Sequence, residues 1–353
     1  MKIALANNLY YPYNRGGAET VVKNMIAELK AQGHDVFLIS CRPKADLNPT
    51  SNGIKTYYFP SDYSRLAEIP PYLRIFWHAK NIFSFKRSAE IKKILVVEKP
   101  ELIITHNLMG LGFRLPCVIK KLKIHHEHYL HDIQLLYPTG LMMLGKEKIV
   151  DSWPAKFYQL FTRAFFESPA KVISPSLWLL GQHRLRGFFH DSETEIKNFN
   201  SGEKVAKETT KQDEQKSKQN FLFVGQIEFH KGILLLIKAF LSALETKADL
   251  RLTIIGDGSL MSEAKQLAKN DPKIDFRGRL EAPELKKIME SSDCLVIPSL
   301  CYENTPMTIH EAHNSKLRVL AANIGGIPEI INSNDKLFRP GDILDLEKHI
   351  LKK

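Results

Sequence analysis

The sequence predicts an α/β chain of two domains built on parallel sheets, and three observations carry that expectation. Strand-like and helix-like segments alternate nearly throughout the 353 residues, as they do where helices connect parallel strands. The length suits two such domains. A stretch at 203–220 is polar, charged and nearly free of large apolar side chains, and reads as a linker. The expected division is therefore an N-terminal domain at 1–202, a flexible linker at 203–220 and a C-terminal domain at 221–353.

Composition narrows the class. Hydrophobic residues at 44% with 25% charged residues are ordinary for a soluble globular protein. A formal charge of +11 points to an anionic partner: nucleotide diphosphates, an acidic lipid surface or nucleic acid. No recognised nucleic-acid module is present, so that partner is the weakest of the three. Cys41, Cys117, Cys294 and Cys301 form no CxxC pair, which favours a reduced cytoplasm. The N-terminus runs straight into a strand without a signal-peptide layout, and no apolar run is long enough to span a bilayer.

In the first half, residues 2–7 form a strand that runs into Tyr11-Pro12-Tyr13-Asn14-Arg15-Gly16-Gly17-Ala18-Glu19-Thr20. Val21, Val22, Met25, Ile26 and Leu29 recur at helical spacing, and Gly33 suits a left-handed cap. Residues 35–40 are the next strand. The paired glycines would let a pyrophosphate approach the backbone, although a plain turn has the same composition. A Gly-x-Gly-x-x-Gly fingerprint is missing, which counts against a nicotinamide-dependent oxidoreductase. Residues 102–106 read as a strand ending at His106.

His125-His126-Glu127-His128, followed by His131-Asp132, invites a metal reading. On a strand, however, His126 and His128 face one way and His125 the other. A zinc site wants tighter or helical spacing, so no metal is expected. Two basic–aromatic stretches, at 72–87 and 153–166, suit an anionic membrane surface. Their aromatic spacing also suits a core stripe, and core-packed helices with solvated basic faces are the favoured expectation. Residues 172–174 are a further strand, turning at Ser174-Pro175-Ser176.

The second half opens with a strand at 221–225, ending at Gly225-Gln226. Lys231-Gly232 then starts a helix over 233–244. A lysine at such a helix start can meet a phosphate as a point charge, though an exposed surface lysine fits the position too. Residues 250–255 form a strand before Gly256-Asp257-Gly258, and the strand-end loop at 274–280 carries Arg279 and Leu280. Residues 293–299 read as a short buried strand, with Thr305 as N-cap and Pro306 as first helical residue.

Glu303 then falls in the loop and Glu311 on the second helical turn. On one continuous helix their spacing would mean about 800° of rotation, leaving them roughly 80° out of register. The loop must therefore set their relation. Free N–H groups at the helix start favour phosphate, whereas the carboxylates would repel it and suit sugar or ribose hydroxyls. The spacing alone also fits two surface carboxylates. Residues 316–322 are a second strand, and Asn323-Ile324-Gly325-Gly326-Ile327-Pro328-Glu329 is a glycine turn leading into another helix.

Glu303-x7-Glu311, a strand and Gly325-Gly326-x-Pro328-Glu329 closely resemble the donor-site signature of the retaining glycosyltransferases of family 4, also called group 1. Gly16-Gly17-Ala18-Glu19 resembles that family's N-terminal Gly-Gly-x-Glu loop. Pro100-Glu101 with His106 keeps the spacing of its Pro-Asp-x4-His stretch, and His131-Asp132 before Pro138 resembles its strand-end His-Asp. Ile173 to Ser176 matches its I-x-x-Ser segment. Gly225-Gln226 with Lys231-Gly232 is similar to its Gly-Arg…Lys-Gly diphosphate clamp, with Gln226 where the arginine usually stands.

The resemblance implies the GT-B architecture, two Rossmann-like domains facing across a cleft. A nucleotide-diphosphate-sugar donor would bind the C-terminal domain and a glycan or lipid-linked acceptor the N-terminal one. Transfer would retain configuration without metal or cofactor. It implies catalytic roles for His106, Glu303 and Lys231. Donor contacts would come from Gly16, Gly17, Gln226, Lys231, Gly256, Arg279, Leu280, Glu303, Asn304, Thr305, Pro306, Met307 and Glu311, and acceptor-side contacts from Glu19, His131 and Asp132. Glu311 would hold the ribose, and Glu303 with His106 the transferred sugar.

Cell-envelope polysaccharide or lipid-linked glycan synthesis is the implied setting, while the cysteine pattern favours the cytoplasm and the basic–aromatic stretches allow peripheral contact with the inner face of an anionic membrane. Family members usually continue with further helices beyond the segment at 341–348. With the sequence ending at Lys353, looser domain closure or a partner chain is expected. The alternative is a non-catalytic nucleotide-sugar-binding subunit of a glycosylation complex.

Overall fold

The computed structural model describes residues 1–13, 16–46, 53–166, 169–197 and 219–352. It divides into two compact units: Met1–Leu141 with Lys148–Phe199, and Asn200–Lys353 with the short segment Met142–Glu147. The expected linker lies outside the described residues except for Gln219 and Asn220, which form the start of a strand instead of linker. Gln219 N–H donates to the Asp249 carbonyl at 3.0 Å.

The first unit carries seven strands: β1 (Lys2–Ala6), β2 (Asp35–Arg42), β3 (Lys55–Pro60), β4 (Leu102–Thr105), β5 (His125–Tyr129), β6 (Lys171–Ser174) and β7 (Glu193–Ile196). They pair in the order β3-β2-β1-β4-β5-β6-β7, every pairing parallel. Its helices are α1 (Gly17–Ala31), α2 (Pro71–Ile82), α3 (Phe85–Glu98), α4 (Leu115–Lys121), α5 (Trp153–Phe166) and α6 (Leu177–Arg184).

The second unit carries β8 (Gln219–Val224), β9 (Leu250–Ile255), β10 (Ile274–Gly278), β11 (Cys294–Ile297), β12 (Arg318–Ala322) and β13 (Lys336–Phe338). Their order is β10-β9-β8-β11-β12-β13, again all parallel. The helices here are α7 (Ile233–Thr246), α8 (Met261–Leu267), α9 (Ala282–Ser291), α10 (Met307–Asn314) and α11 (Ile343–Leu351). Both units are thus Rossmann-like α/β sheets.

Burial explains which strands lie inside. Central parallel strands are covered on both faces and so read as unbroken apolar runs. Ile3 to Ala6 of β1 and all of β11 are buried in this way. The edge strands β3, β7, β10 and β13 are instead partly exposed. The second core centres on α7, whose Ile233, Leu236, Ile237 and Phe240 are fully buried, each contributing about 1.5–3 kcal/mol.

Both sheets reverse strand order once, between β1 and β4 and between β8 and β11. Open α/β sheets bind ligands at the carboxyl ends of strands where this reversal occurs. The residues that follow β1, β4, β8 and β11 are therefore where a site belongs.

Three local expectations change. The helix after β11 begins at Met307 with Pro306 as its extended N-cap, later than the Thr305–Pro306 start expected from sequence. Gly326 N–H donates to the Glu303 carbonyl at 2.7 Å and holds the incoming chain, so helical geometry waits until Met307. Residues 327–329 make only a single 3-10 turn, not a helix. The aromatic stretches pack only in part as core stripes: Tyr158 and Phe166 of α5 are buried, whereas Phe76 is 71% and Trp153 79% exposed.

Candidate functional site

In the second unit the chain leaves β8 at Gly225, with Gln226 exposed, and turns through a 3-10 segment (Phe229–Lys231) into α7. Gly232 joins the two at φ +72°, and a Cβ there would lie 1.8 Å from the Pro298 carbonyl oxygen. Only glycine permits this crossing, which brings Lys231 beside the loop that follows β11. There Lys231 Nζ donates to Glu303 Oε1 at 2.6 Å, with side chains 27% and 14% exposed.

Ser299 Oγ donates to the same carboxylate oxygen at 2.9 Å, and Cys301 Sγ lies 3.8 Å away. Burial by itself would raise the Glu303 carboxyl, but the Lys231 charge and the two oxygen-bound donors offset it and hold the pKa below the ordinary value. Burial pulls Lys231 the other way, and Glu303 restores its ammonium to a net upward shift. An ammonium has three N–H donors, and Glu303 takes one.

Asn304, Thr305, Pro306 and Met307 follow Glu303 directly into the start of α10, all half-buried, and Glu311 lies on the second turn. Glu311 is solvent-accessible, and partial desolvation raises its carboxyl pKa. Gly256 N–H donates to the Gly278 carbonyl at 2.8 Å and ties the loop after β9 to the end of β10. Beyond that strand Arg279 is exposed, while Leu280 packs against the core. The fold thus unites Lys231, Glu303 and the α10 start at the carboxyl ends of β8 and β11.

A strap that no sequence signal indicated lies against the loop after β11. Leu144 N–H donates to the Leu300 carbonyl at 2.9 Å, Tyr302 N–H to Met142 at 2.8 Å, and the Tyr302 hydroxyl to Glu147 Oε1 at 3.0 Å. Met143 and Cys301 form an antiparallel bridge. The residues just before Glu303 are therefore strand-paired to a segment from the first half of the chain.

In the first unit, the switch point gathers Asn7 and Asn8 after β1, His106 and Asn107 after β4, and His131 and Asp132 after β5. Asn8 N–H donates to the Asn107 carbonyl at 2.7 Å, and Asn107 N–H to Asn7 Oδ1 at 3.1 Å. His106 Nδ1 and His131 Nε2 share a hydrogen bond at 2.8 Å. His106 is 0% exposed, stacked beside Tyr129 and His131, and its Nε2 has no partner. His106 and half-buried His131 thus form a bonded pair at the carboxyl ends of β4 and β5.

Burial lowers both imidazoles, His106 far below its ordinary value and His131 to about 4. Burial raises Asp132 to about 7, although Gln134 N–H and Asn107 Nδ2 both donate to it. Glu19 is buried and accepts the Gly16 N–H at 2.8 Å, so its carboxylate caps α1, while Gly16 and Gly17 lie exposed at the helix start.

The histidine row of β5 has a packing role. His126 and His128 both contact Thr105 Oγ1, at 2.8 and 2.9 Å, and both lie against Phe166. His125 points to solvent. Among the described residues no group of three or more His, Cys, Asp or Glu side chains could hold a metal ion. No helix among them is long and apolar enough to cross a membrane.

The profile described as "Glycosyltransferase Family 4" matches residues 15–191, and that of "Glycosyl transferases group 1" matches residues 218–352. An uncharacterized 42.6 kDa protein in the cps region of Klebsiella pneumoniae is 26% identical, over 98% of this chain and 92% of its own. The alpha-monoglucosyldiacylglycerol synthase of Streptococcus pneumoniae is 23% identical, over 96% of this chain and 74% of its own. The Anabaena HepE structure in complex with UDP and glucose has a TM-score of 0.67 at 16% identity, covering 99% of this chain and 89% of that one, which is a likeness of fold. With its two Rossmann-like units and these two profiles, the chain belongs to the group 1, family 4 glycosyltransferases and has their GT-B fold.

Proposed function

We propose that this glycosyltransferase moves a sugar from a nucleoside-diphosphate donor to a glycan or lipid-linked acceptor, with retention of configuration and without a metal. The observation that carries this reading is the Lys231–Glu303 pair at the strand reversal of the second unit, beside the start of α10. Departure of the diphosphate needs fixed positive charge and amide dipoles. Lys231 supplies the first with N–H donors beyond the one that Glu303 uses, and the backbone from Asn304 to Met307 supplies the second. Glu303 accepts hydrogen bonds from the sugar hydroxyls and Glu311 from the ribose.

In the first unit, His131 and Asp132 meet the acceptor side. His106 serves as a positioning residue, fixing the His131 ring through their shared hydrogen bond. A UDP donor agrees with the ligands named for the Anabaena structure. A lipid acceptor agrees with the name of the Streptococcus pneumoniae relative, a synthase of a glucosyldiacylglycerol.

The test is transfer from a panel of nucleotide-sugars in EDTA, with product anomers read by NMR. Retained configuration in chelator supports the reading. Inverted product, or activity that returns only with Mg²⁺ or Mn²⁺, overturns it. The neutral, exposed Gln226 favours a second reading, a nucleotide-sugar-binding subunit without turnover. Donor binding with neither transfer nor hydrolysis would select that alternative.

A further inference from the structure

The two basic–aromatic stretches, which start at Tyr72 and Trp153, meet in one surface of the first unit. Phe83, directly after α2, contacts Phe161 and Phe165 of α5 with ring centroids at 5.0 and 5.7 Å. The ring series continues from Phe161 to Phe157 at 4.9 Å and to Trp153 at 5.9 Å. On the other side Tyr72, Phe76 and Phe83 recur at helical spacing, and all three are exposed. A groove of about 370 Å³ runs beside Trp153, Phe157 and Leu160, with Lys156 and Arg163 on its walls. Soluble proteins seldom leave so continuous an aromatic strip open to water.

Charge identifies the occupant. Residues 70–89 and 152–166 contain no aspartate or glutamate, while Lys80, Lys86, Lys156 and Arg163 are exposed among the rings. Arg114 bridges the two stretches, its guanidinium 3.9 Å from the Phe85 ring and 5.0 Å from that of Phe165. Protein interfaces are depleted in lysine, whereas exposed aromatics flanked by lysine and arginine suit the headgroup layer of an anionic bilayer.

We propose that this aromatic–basic face of α2 and α5 docks the enzyme on an anionic lipid bilayer, with Phe76, Phe83, Trp153 and Phe157 entering the headgroup–acyl boundary. The proposal is independent of the donor site, which lies in the other unit.

The test is co-sedimentation of the full chain with vesicles of phosphatidylcholine alone or mixed with phosphatidylglycerol. Partition onto the anionic vesicles, weakening as salt rises, is expected. Trp153→Ser with Phe157→Ser, and separately Lys80→Glu with Lys156→Glu, should each lower partition about tenfold at an unchanged thermal midpoint. Leu344 of α11 is similarly exposed in the other unit, and Leu344→Ser should change nothing. Absence of binding to anionic vesicles, equal binding to neutral ones, or variants that bind like the parent would each overturn the proposal. So would a dimer of the parent chain that the Trp153→Ser/Phe157→Ser variant dissociates, since the face would then join two copies.

Discussion

Replacing Lys231 by methionine keeps most of the aliphatic stem and removes the charge that holds Glu303. The carboxylate would remain 14% exposed with only Ser299 and the weak Cys301 donor beside it. Breaking a fully buried pair costs about 3–5 kcal/mol, and an exposed pair contributes about 0–1 kcal/mol. With Lys231 27% exposed the effect lies between these ranges, at about 2 kcal/mol. For a urea dependence of about 2 kcal/mol per molar, the unfolding midpoint of the second unit should fall by about 1 M.

The deficit should depend on pH. In the parent, the lowered Glu303 pKa gives stability above the unfolded value that is lost on acidification. In the variant, unopposed burial raises that pKa, so stability is lost as pH rises instead. The gap between parent and variant is therefore widest near neutrality and narrows in acid. Lys231→Met/Glu303→Gln removes both charges and should regain most of the lost stability, while turnover in both variants stays down about 10²–10³-fold. Urea titrations and donor turnover on the same preparations decide the matter. An unshifted midpoint with normal turnover refutes the pairing, and a double variant as unstable as the single one refutes the desolvation argument.

Glu311→Gln should weaken donor binding by about 1–3 kcal/mol in calorimetry with unchanged stability, because the side chain is exposed; equal affinity would remove its ribose role. Gln226→Arg should tighten nucleoside-diphosphate inhibition, most at low salt, and inhibition that ignores the substitution would mean that the phosphates lie elsewhere. The first unit should lose stability between about pH 6.5 and pH 4. Burial lowers His126 to about 3 and His131 and His183 to about 4, so the unfolded chain binds more protons in that window. Asp132, raised to about 7, acts in the opposite sense. His106 and His128, lowered further by burial, act with the other histidines, so the net effect from pH 7 to pH 5 is a loss of stability, and a urea midpoint that rises on acidification would contradict these shifts.

Much of the fold was legible because central parallel strands announce themselves as unbroken apolar runs. The strands at 2–6, 35–42 and 294–297 and the helix after Gly232 all formed where that signal stood. Local chemistry also placed Glu311 on the second turn of α10 and set His126 and His128 opposite His125. What escaped depends on depth and long-range contact. His106 follows a strand as expected, yet no local pattern reveals that it is fully buried and bonded to His131. Helical spacing in 72–87 and 153–166 cannot say which side of a stripe faces the core: Tyr158 and Phe166 turn inward, while Tyr72, Phe76, Trp153 and Phe157 lie outward. The bond from Tyr302 to Glu147 spans 155 positions and leaves no mark on either neighbourhood.

That strap also bears on how such enzymes recombine. The two family profiles meet the chain at 15–191 and 218–352, which assigns residues 142–147 to the first half by ancestry. By packing the same six residues belong to the second unit, paired with Leu300 and Tyr302 just ahead of Glu303. A chimera cut at 198–218 would leave the incoming Glu303 loop braced by a foreign strand. Donor preference in grafted enzymes should therefore follow the origin of 142–147 as well as that of the C-terminal half, and a faithful transplant must carry both.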